Sequence, residues 1–149
     1  MAMGELFTHP HEWRPLIANR VVDVIRCRVG MIGGITQARK IAGLCEQFGV
    51  RTAWQEGGAN DSINQLAASH VDMNSSSFGI QEDNHYPEIV HEVMPGTAQI
   101  RSGYRYGSGK PGLGIDLDEN IAAKFLLTED HRVSDWTTVR GMDGGLIKP

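Results

Sequence analysis

Cysteine is scarce in this 149-residue chain: there are two, Cys27 and Cys45. They sit inside strand and helix patterns without metal-ligand spacing, which excludes a disulfide framework and a zinc-finger site. Both are expected to be buried thiols of a reducing compartment. Basic charge is also in short supply. Fourteen Lys and Arg stand against 18 Asp and Glu, a net charge of −4, so the electrostatic footprint of a nucleic-acid binder is missing. No apolar run approaches the roughly 18 residues of a membrane span. The opening Met1-Ala2-Met3-Gly4-Glu5 lacks the basic region and apolar core of a signal peptide, so the cytoplasm is the expected compartment.

What is present is a repeating pattern. Short apolar strand patterns end on polar residues: Arg26 after Val21-Val22-Asp23-Val24-Ile25, Gln55 after Val50-Arg51-Thr52-Ala53-Trp54, and Glu82 after Phe78-Gly79-Ile80-Gln81. The intervals are 29 and 27 residues, about the length of a strand, a helix and two short loops. Glu5 precedes Arg26 by 21 residues and fits the same series. Successive strand–helix units are how a (β/α)8 barrel reads, and in that fold the side chains at the C-terminal strand ends carry the chemistry. A whole barrel needs about 250 residues. The expected fold is therefore α/β, with about three strand–helix units of a barrel in residues 1–82. A loop, hairpin, helix and tail follow in residues 83–149.

Between the strands, Thr8 is the expected cap of a helix with Pro10 inside it. Thr36 is the expected cap of a helix through Phe48, where Ile41, Leu44, Cys45 and Phe48 recur at the helical period and Gly49 stops it. A third helix is expected over 62–71 with Ile63, Leu66, Ala67 and Val71 as its stripe. From Asp83 the chain reads as loop-rich. A hairpin around Gly103 and a short helix from Asp118 to Phe125 are the expected exceptions.

Each polar strand end admits two readings. Glu5 is a ligand for a hard cation such as Mg²⁺, or a solvated glutamate. Arg26 offers its fork to a carboxylate ligand, or pairs with a strand-end acid such as Glu82. Gln55 cannot transfer protons but can hydrogen-bond a sugar-like hydroxyl, or else serves its own loop. Glu82, with Asp83, Asn84 and His85, suits a polyol or sugar-acid site, with His85 as a candidate acid or base or else a solvated histidine. The Gly30-Met31-Ile32-Gly33 match to a dinucleotide fingerprint lacks the third glycine and the distal acid, and is set aside.

Six ordered motifs then carry a resemblance: Gly4-Glu5-Leu6-Phe7, Asp23-Val24-Ile25-Arg26, Gly33-Gly34-Ile35-Thr36, Arg51-Thr52-Ala53-Trp54, Phe78-Gly79-Ile80-Gln81-Glu82 and Lys110-Pro111-Gly112-Leu113-Gly114-Ile115-Asp116. Together the chain resembles the mannonate dehydratase family of the enolase superfamily. Gln55-Glu56-Gly57-Gly58, Asn84-His85 and Lys148-Pro149 resemble its starvation-sensing branch. The resemblance implies the C-terminal part of a modified (β/α)8 barrel plus a cap segment, a Mg²⁺ cofactor, and dehydration of a sugar acid such as D-mannonate to a 2-keto-3-deoxy acid. It maps Glu5 to the third metal ligand, and Arg26, Gln55 and Glu82 to substrate contacts.

Two departures qualify the implied activity. Where active members resemble His-Gly-x-x-Asp, this chain has Gln55 and Ala59. The first two metal ligands, the base tyrosine and the acid histidine of the family fall upstream of the matched segment. A fragment inactive on its own is therefore expected, with a non-catalytic sugar-acid binding or sensing role as the competing reading. Open strand edges favour a homo-oligomer.

Overall fold

The computed structural model describes residues 1–55 and 62–125. The expected loop at 57–61, including Ala59, and the tail at 127–149 with Lys148-Pro149 lie outside the described residues. The chain forms two compact units, Met1–Asp118 and Glu119–Pro149. In the second, the described part is a short helix, α5 (Glu119–Ala122), continued by one 3-10 turn at Ala123–Phe125.

The first unit carries a parallel sheet of β1 (Ala2–Met3), β2 (Val24–Ile25) and β3 (Arg51–Thr52), in that spatial order. Ala2 pairs with Val24, and Val24 with Arg51. Main-chain bonds extend the ladders past the formal strands: Arg26 N–H donates to Met3 O at 2.8 Å, and Gln55 N–H to Cys27 O at 2.8 Å. Residues 78–81, expected as a full strand, join through one parallel bridge, Thr52 to Phe78. Gly79 allows that approach, because a Cβ there would lie 3.0 Å from Thr52 O and 3.1 Å from Arg51 Cβ. Among the described residues nothing pairs along the far side of 78–81, so the ladder has no second partner to lengthen it.

Helices α1 (Pro10–Ala18), α2 (Ile35–Phe48) and α3 (Ser62–Asp72) connect and cover the strands. The cap of α1 is His9 rather than Thr8. The Glu12 carboxylate reaches back to accept both the Thr8 and His9 N–H groups at 2.7 Å, which fixes the start one residue later. The cap of α2 is Gly34 rather than Thr36, its φ of 88° turning the chain directly into Ile35. α2 buries Ala38, Ile41, Ala42 and Cys45 at helical spacing against Ile17, Ile25, Cys27, Val50 and Trp54. Each large aliphatic side chain buried there contributes about 1.5–3 kcal/mol. Both cysteines are free and buried, and burial pushes each thiol up to about 12.

α3 departs from its expected stripe. Ile63 is 46% exposed, while Asn64 and Gln65 are buried. Distant partners turn them inward. Asn64 Oδ1 accepts the Gly30 N–H at 2.7 Å, and Gln65 Nε2 donates to Asp83 Oδ1 at 2.5 Å. A helix absent from the sequence expectation, α4 (Glu88–Val93), follows Pro87. The expected hairpin is present as β4 (Gln99–Arg101) and β5 (Tyr104–Tyr106), paired antiparallel.

Between α4 and the hairpin, Gly96 sits at φ 104°, and a Cβ would overlap Gly114 O and lie 2.9 Å from Ile115 Cα. Gly96→Ala is expected to cost about 1–3 kcal/mol. Urea denaturation checks this, with Gly43→Ala, in open space inside α2, as the contrasting variant expected to stabilise by about 0.5–1 kcal/mol.

Candidate functional site

The polar strand ends meet on one rim. Each lies just past the C-terminal end of its strand, and the parallel register brings neighbouring ends level. Arg26 is the centre. Its Nε donates to Glu82 Oε2 at 2.7 Å and its Nη2 to Glu82 Oε1 at 2.9 Å, a two-pronged clamp, while Nη1 donates to Glu5 Oε2 at 2.9 Å. Gln55 Nε2 donates to the other Glu5 oxygen at 2.8 Å. All four expected site residues are thus in one hydrogen-bonded chain, Gln55–Glu5–Arg26–Glu82.

The electrostatics follow from that chain. The Arg26 hydrogen bond holds the Glu5 carboxyl below its ordinary value against a partial burial penalty, helped by the charges of Arg26 and Arg28 and by Gln55. The Glu82 hydrogen bond raises Arg26, and Glu5 adds to it. The Glu5 side chain is 51% exposed, so its arm of the pair contributes no more than about 1 kcal/mol. Gln55 is 5% exposed, and its Oε1 has no hydrogen-bond partner among the described residues. A buried acceptor left open beside a carboxylate suits a hydroxyl donor.

Two cations were not anticipated. Arg28 lies two residues beyond Arg26 and acts on Glu5. The alternation of a strand places i and i+2 on one face, so the Arg26-x-Arg28 spacing was the available signal. Arg105, on β5, pairs with Asp83 and donates to Glu82 O at 3.4 Å, which ties the hairpin to residues 82–83. No local pattern marks it. His85, the candidate acid or base, is exposed, and the Gly30–Gly33 turn carries no part of this cluster.

The donor set bears on a metal. Among the described residues no three His, Cys, Asp or Glu side chains converge as a cation site. Both Glu5 oxygens already accept hydrogen bonds, and Glu82 is held by Arg26. Mg²⁺ wants near-octahedral oxygen ligands. The described residues of one copy therefore do not by themselves fit it, although Glu5 can serve as one ligand.

Strand–helix units with their polar ends on a common rim define a (β/α)-barrel type of α/β domain. Residues 1–121 match the enolase C-terminal domain-like family, and the chain belongs to it. A D-galactonate dehydratase family member from Paenibacillus sp. (strain JDR-2) is 49% identical over 152 residues, covering 99% of this chain and 37% of its own length. The D-galactonate dehydratase family member RspA of Pantoea ananatis is 46% identical, covering 100% of this chain and 35% of its own length. The chain thus spans a little over a third of these relatives. An enolase from Pantoea ananatis, solved with bound D-gluconate and Mg, superposes with a TM-score of 0.78 at 49% identity, over 83% of this chain and 30% of that one. The relatives carry the D-galactonate dehydratase name, where the sequence motifs pointed to the mannonate dehydratase name. The superfamily is common to both. No helix among the described residues is long and apolar enough to cross a membrane.

Proposed function

We propose that this chain is the sugar-acid-binding rim of a Mg²⁺-dependent, dehydratase-like barrel, and that one copy alone does not turn over substrate. The observation that carries the reading is the Gln55–Glu5–Arg26–Glu82 chain on the C-terminal strand ends. In this reading residues 1–82 supply barrel and residues 83–149 the cap side. Arg26 exchanges part of its clamp for a ligand carboxylate, and the open Gln55 Oε1 takes a ligand hydroxyl. Glu5 would supply one carboxylate ligand to a Mg²⁺, whose remaining ligands the described residues do not provide. The bound D-gluconate and Mg of the Pantoea ananatis structure support this class of ligand. D-Mannonate remains the particular substrate suggested by the sequence motifs.

The test is ligand-observed NMR of the purified chain with D-gluconate, D-galactonate and D-mannonate, with and without Mg²⁺. A sugar acid is expected to bind, and Arg26→Met is expected to weaken it at least about tenfold, the value of a charge-assisted pair. Equal binding by wild type and Arg26→Met would remove the reading. A second reading, binding or sensing without turnover, is favoured by the same observation that leaves the cation set incomplete. Formation of a 2-keto-3-deoxy acid by the purified chain, abolished in Glu5→Gln, would exclude it.

A further inference from the structure

A second set of hydrogen bonds lies directly behind the rim. Asp83 Oδ1 accepts Gln65 Nε2 of α3 at 2.5 Å and also pairs with Arg105 Nη2 of β5. The same Arg105 nitrogen donates to Glu82 O at 3.4 Å. Gln81 Nε2 donates to that oxygen at 2.9 Å and to Trp54 O at 3.2 Å. The chain at 82–83 is thus tied to α3, to β5 and to the strand end beyond β3.

Arg105 is the joint of this set. The β4–β5 register pairs it with Ile100, and strand alternation puts it on the opposite face from Tyr104 and Tyr106. An arginine on a hairpin ordinarily keeps its charged head in water. The Arg105 side chain is instead 10% exposed, with its guanidinium turned onto the residue that carries the rim acid and onto the next one.

We propose that Arg105 is a positioning residue for the rim: it fixes the main chain at 82–83 so that the Glu82 carboxylate meets Arg26 with both oxygens. The two-pronged contact has little tolerance. Its bonds of 2.7 and 2.9 Å hold only while carboxylate and guanidinium share a plane. The Glu82 side chain is 35% exposed, so water competes for a carboxylate that drifts. A glutamate has several staggered rotamers, and a fixed Cα selects those that reach Arg26. Arg105 supplies the fixed Cα from both sides, its charge holding Asp83 and its N–H the Glu82 carbonyl. The consequence for ligands rests on the proposed sugar-acid reading. A fork whose plane is set by Glu82 keeps an oriented Nη1 edge, on the side of the half-exposed Glu5, for a ligand carboxylate. Arg105 acts through Glu82 and not on the ligand.

The test follows the ¹⁵Nε–H signal of Arg26 in the purified 149-residue chain, assigned by its loss in Arg26→Met. Arg105→Met is expected to speed hydrogen exchange of that group at least about tenfold, the value of a charge-assisted bond. Arg105→Lys keeps the charge on Asp83 and is expected to recover most of the protection. Arg101→Met removes an exposed arginine of the same hairpin, one bonded to Gln99, and is expected to change nothing. Backbone amide spectra show whether each variant is folded. Asp83→Asn removes the charge at the other end of the tie without changing its size. It is expected to speed the exchange as well, and it decides the matter if Arg105→Met does not fold. An ion pair that only secures the hairpin would move stability and leave Arg26 alone. Protection unchanged in Asp83→Asn and in folded Arg105→Met, or lost equally in Arg101→Met, would therefore overturn the proposal. With D-gluconate as the probe, Arg105→Met is expected to bind about tenfold more weakly than wild type, with Arg105→Lys between them. Equal affinity of wild type and Arg105→Met would also overturn it. If the Arg26 signal responds to Arg105 and the wild type binds no sugar acid, the functional reading fails and the positioning role stands.

Discussion

Asp72→Asn is expected to stabilise the protein, by about 2–4 kcal/mol at pH 8 and by much less at pH 4. Asp72 closes α3, is 8% exposed, and neither carboxyl oxygen has a hydrogen-bond partner of normal geometry. Burial pushes its pKa up to about 7; the Trp54 indole N–H and the charge of Arg105 oppose the rise without cancelling it. Asp72 lines a cavity of about 820 Å³ whose other titratable walls are His70, Asp83, Tyr104, Arg105 and Lys110, and Arg105 is already paired with Asp83. The charge of Arg105, shared with Asp83, therefore only partly offsets the burial of the Asp72 anion.

The sign follows from linkage. The unfolded group ionises near 3.8 and the folded one near 7. Between those values the folded chain keeps a proton that the unfolded chain has released, so stability falls as pH rises. The contribution is fully present below the unfolded value and is lost as pH climbs through about 7. Asparagine keeps the shape and cannot ionise, so its advantage appears only at high pH. Guanidinium denaturation of both proteins at pH 4.5 and pH 8 measures it. A difference in midpoint that is the same at both pH values would show that the carboxyl is not desolvated as the fold implies.

Asp72 also shows what the sequence could not disclose. The helix carrying it was legible from Leu66, Ala67 and Val71 at helical spacing, and so were α2 and the parallel strand order, because periodicity and unit length are local properties. The burial of Asn64, Gln65 and Asp72 is not local. It depends on Gly30, on Asp83 and on β5, which reach the helix only in three dimensions. The rim was legible for a related reason. Glu5, Arg26, Gln55 and Glu82 repeat at the unit length, so the barrel rule brings them together without knowledge of any contact. What joins them, the Arg26 clamp, was one of two open readings. Arg105 enters from a hairpin outside the repeat. α4 was hidden because it is six residues long and begins after Pro87, with β-branched Ile89 and Val90 that read equally as extended chain.

Trp54→Ala is expected to cost about 3–5 kcal/mol, comparable with the whole stability of a marginal domain. Trp54 is fully buried in the core shared by α1, α2 and α3, among Ile17, Ile25, Ile41, Cys45, Ala68 and Val71. Its removal leaves a cavity that the sheet cannot close, because β3 is held on both sides by main-chain bonds to Ile25 O and Ser77 O. Trp54→Phe fills most of the space. The Trp54 Nε1 has no partner of normal geometry, so losing that donor costs little, and the variant is expected within about 2 kcal/mol of wild type. The effect extends to the rim. Trp54 O accepts Gln81 Nε2 at 3.2 Å, and the next residue along each strand is a rim group, Gln55 and Glu82. Loosening this crossing frees both ends of the Gln55–Glu5–Arg26–Glu82 chain. The ¹⁵Nε resonance of Arg26, held by Glu82, is therefore expected to broaden in Trp54→Ala under conditions where the backbone spectrum still shows folded protein, and to stay sharp in Trp54→Phe. Denaturant midpoints and that resonance test the two halves of the argument separately. A Trp54→Ala variant within 1 kcal/mol of wild type would mean that the core can collapse around the site. A destabilised variant with an unchanged Arg26 signal would mean that the ion pair holds itself, independent of the strand beneath it.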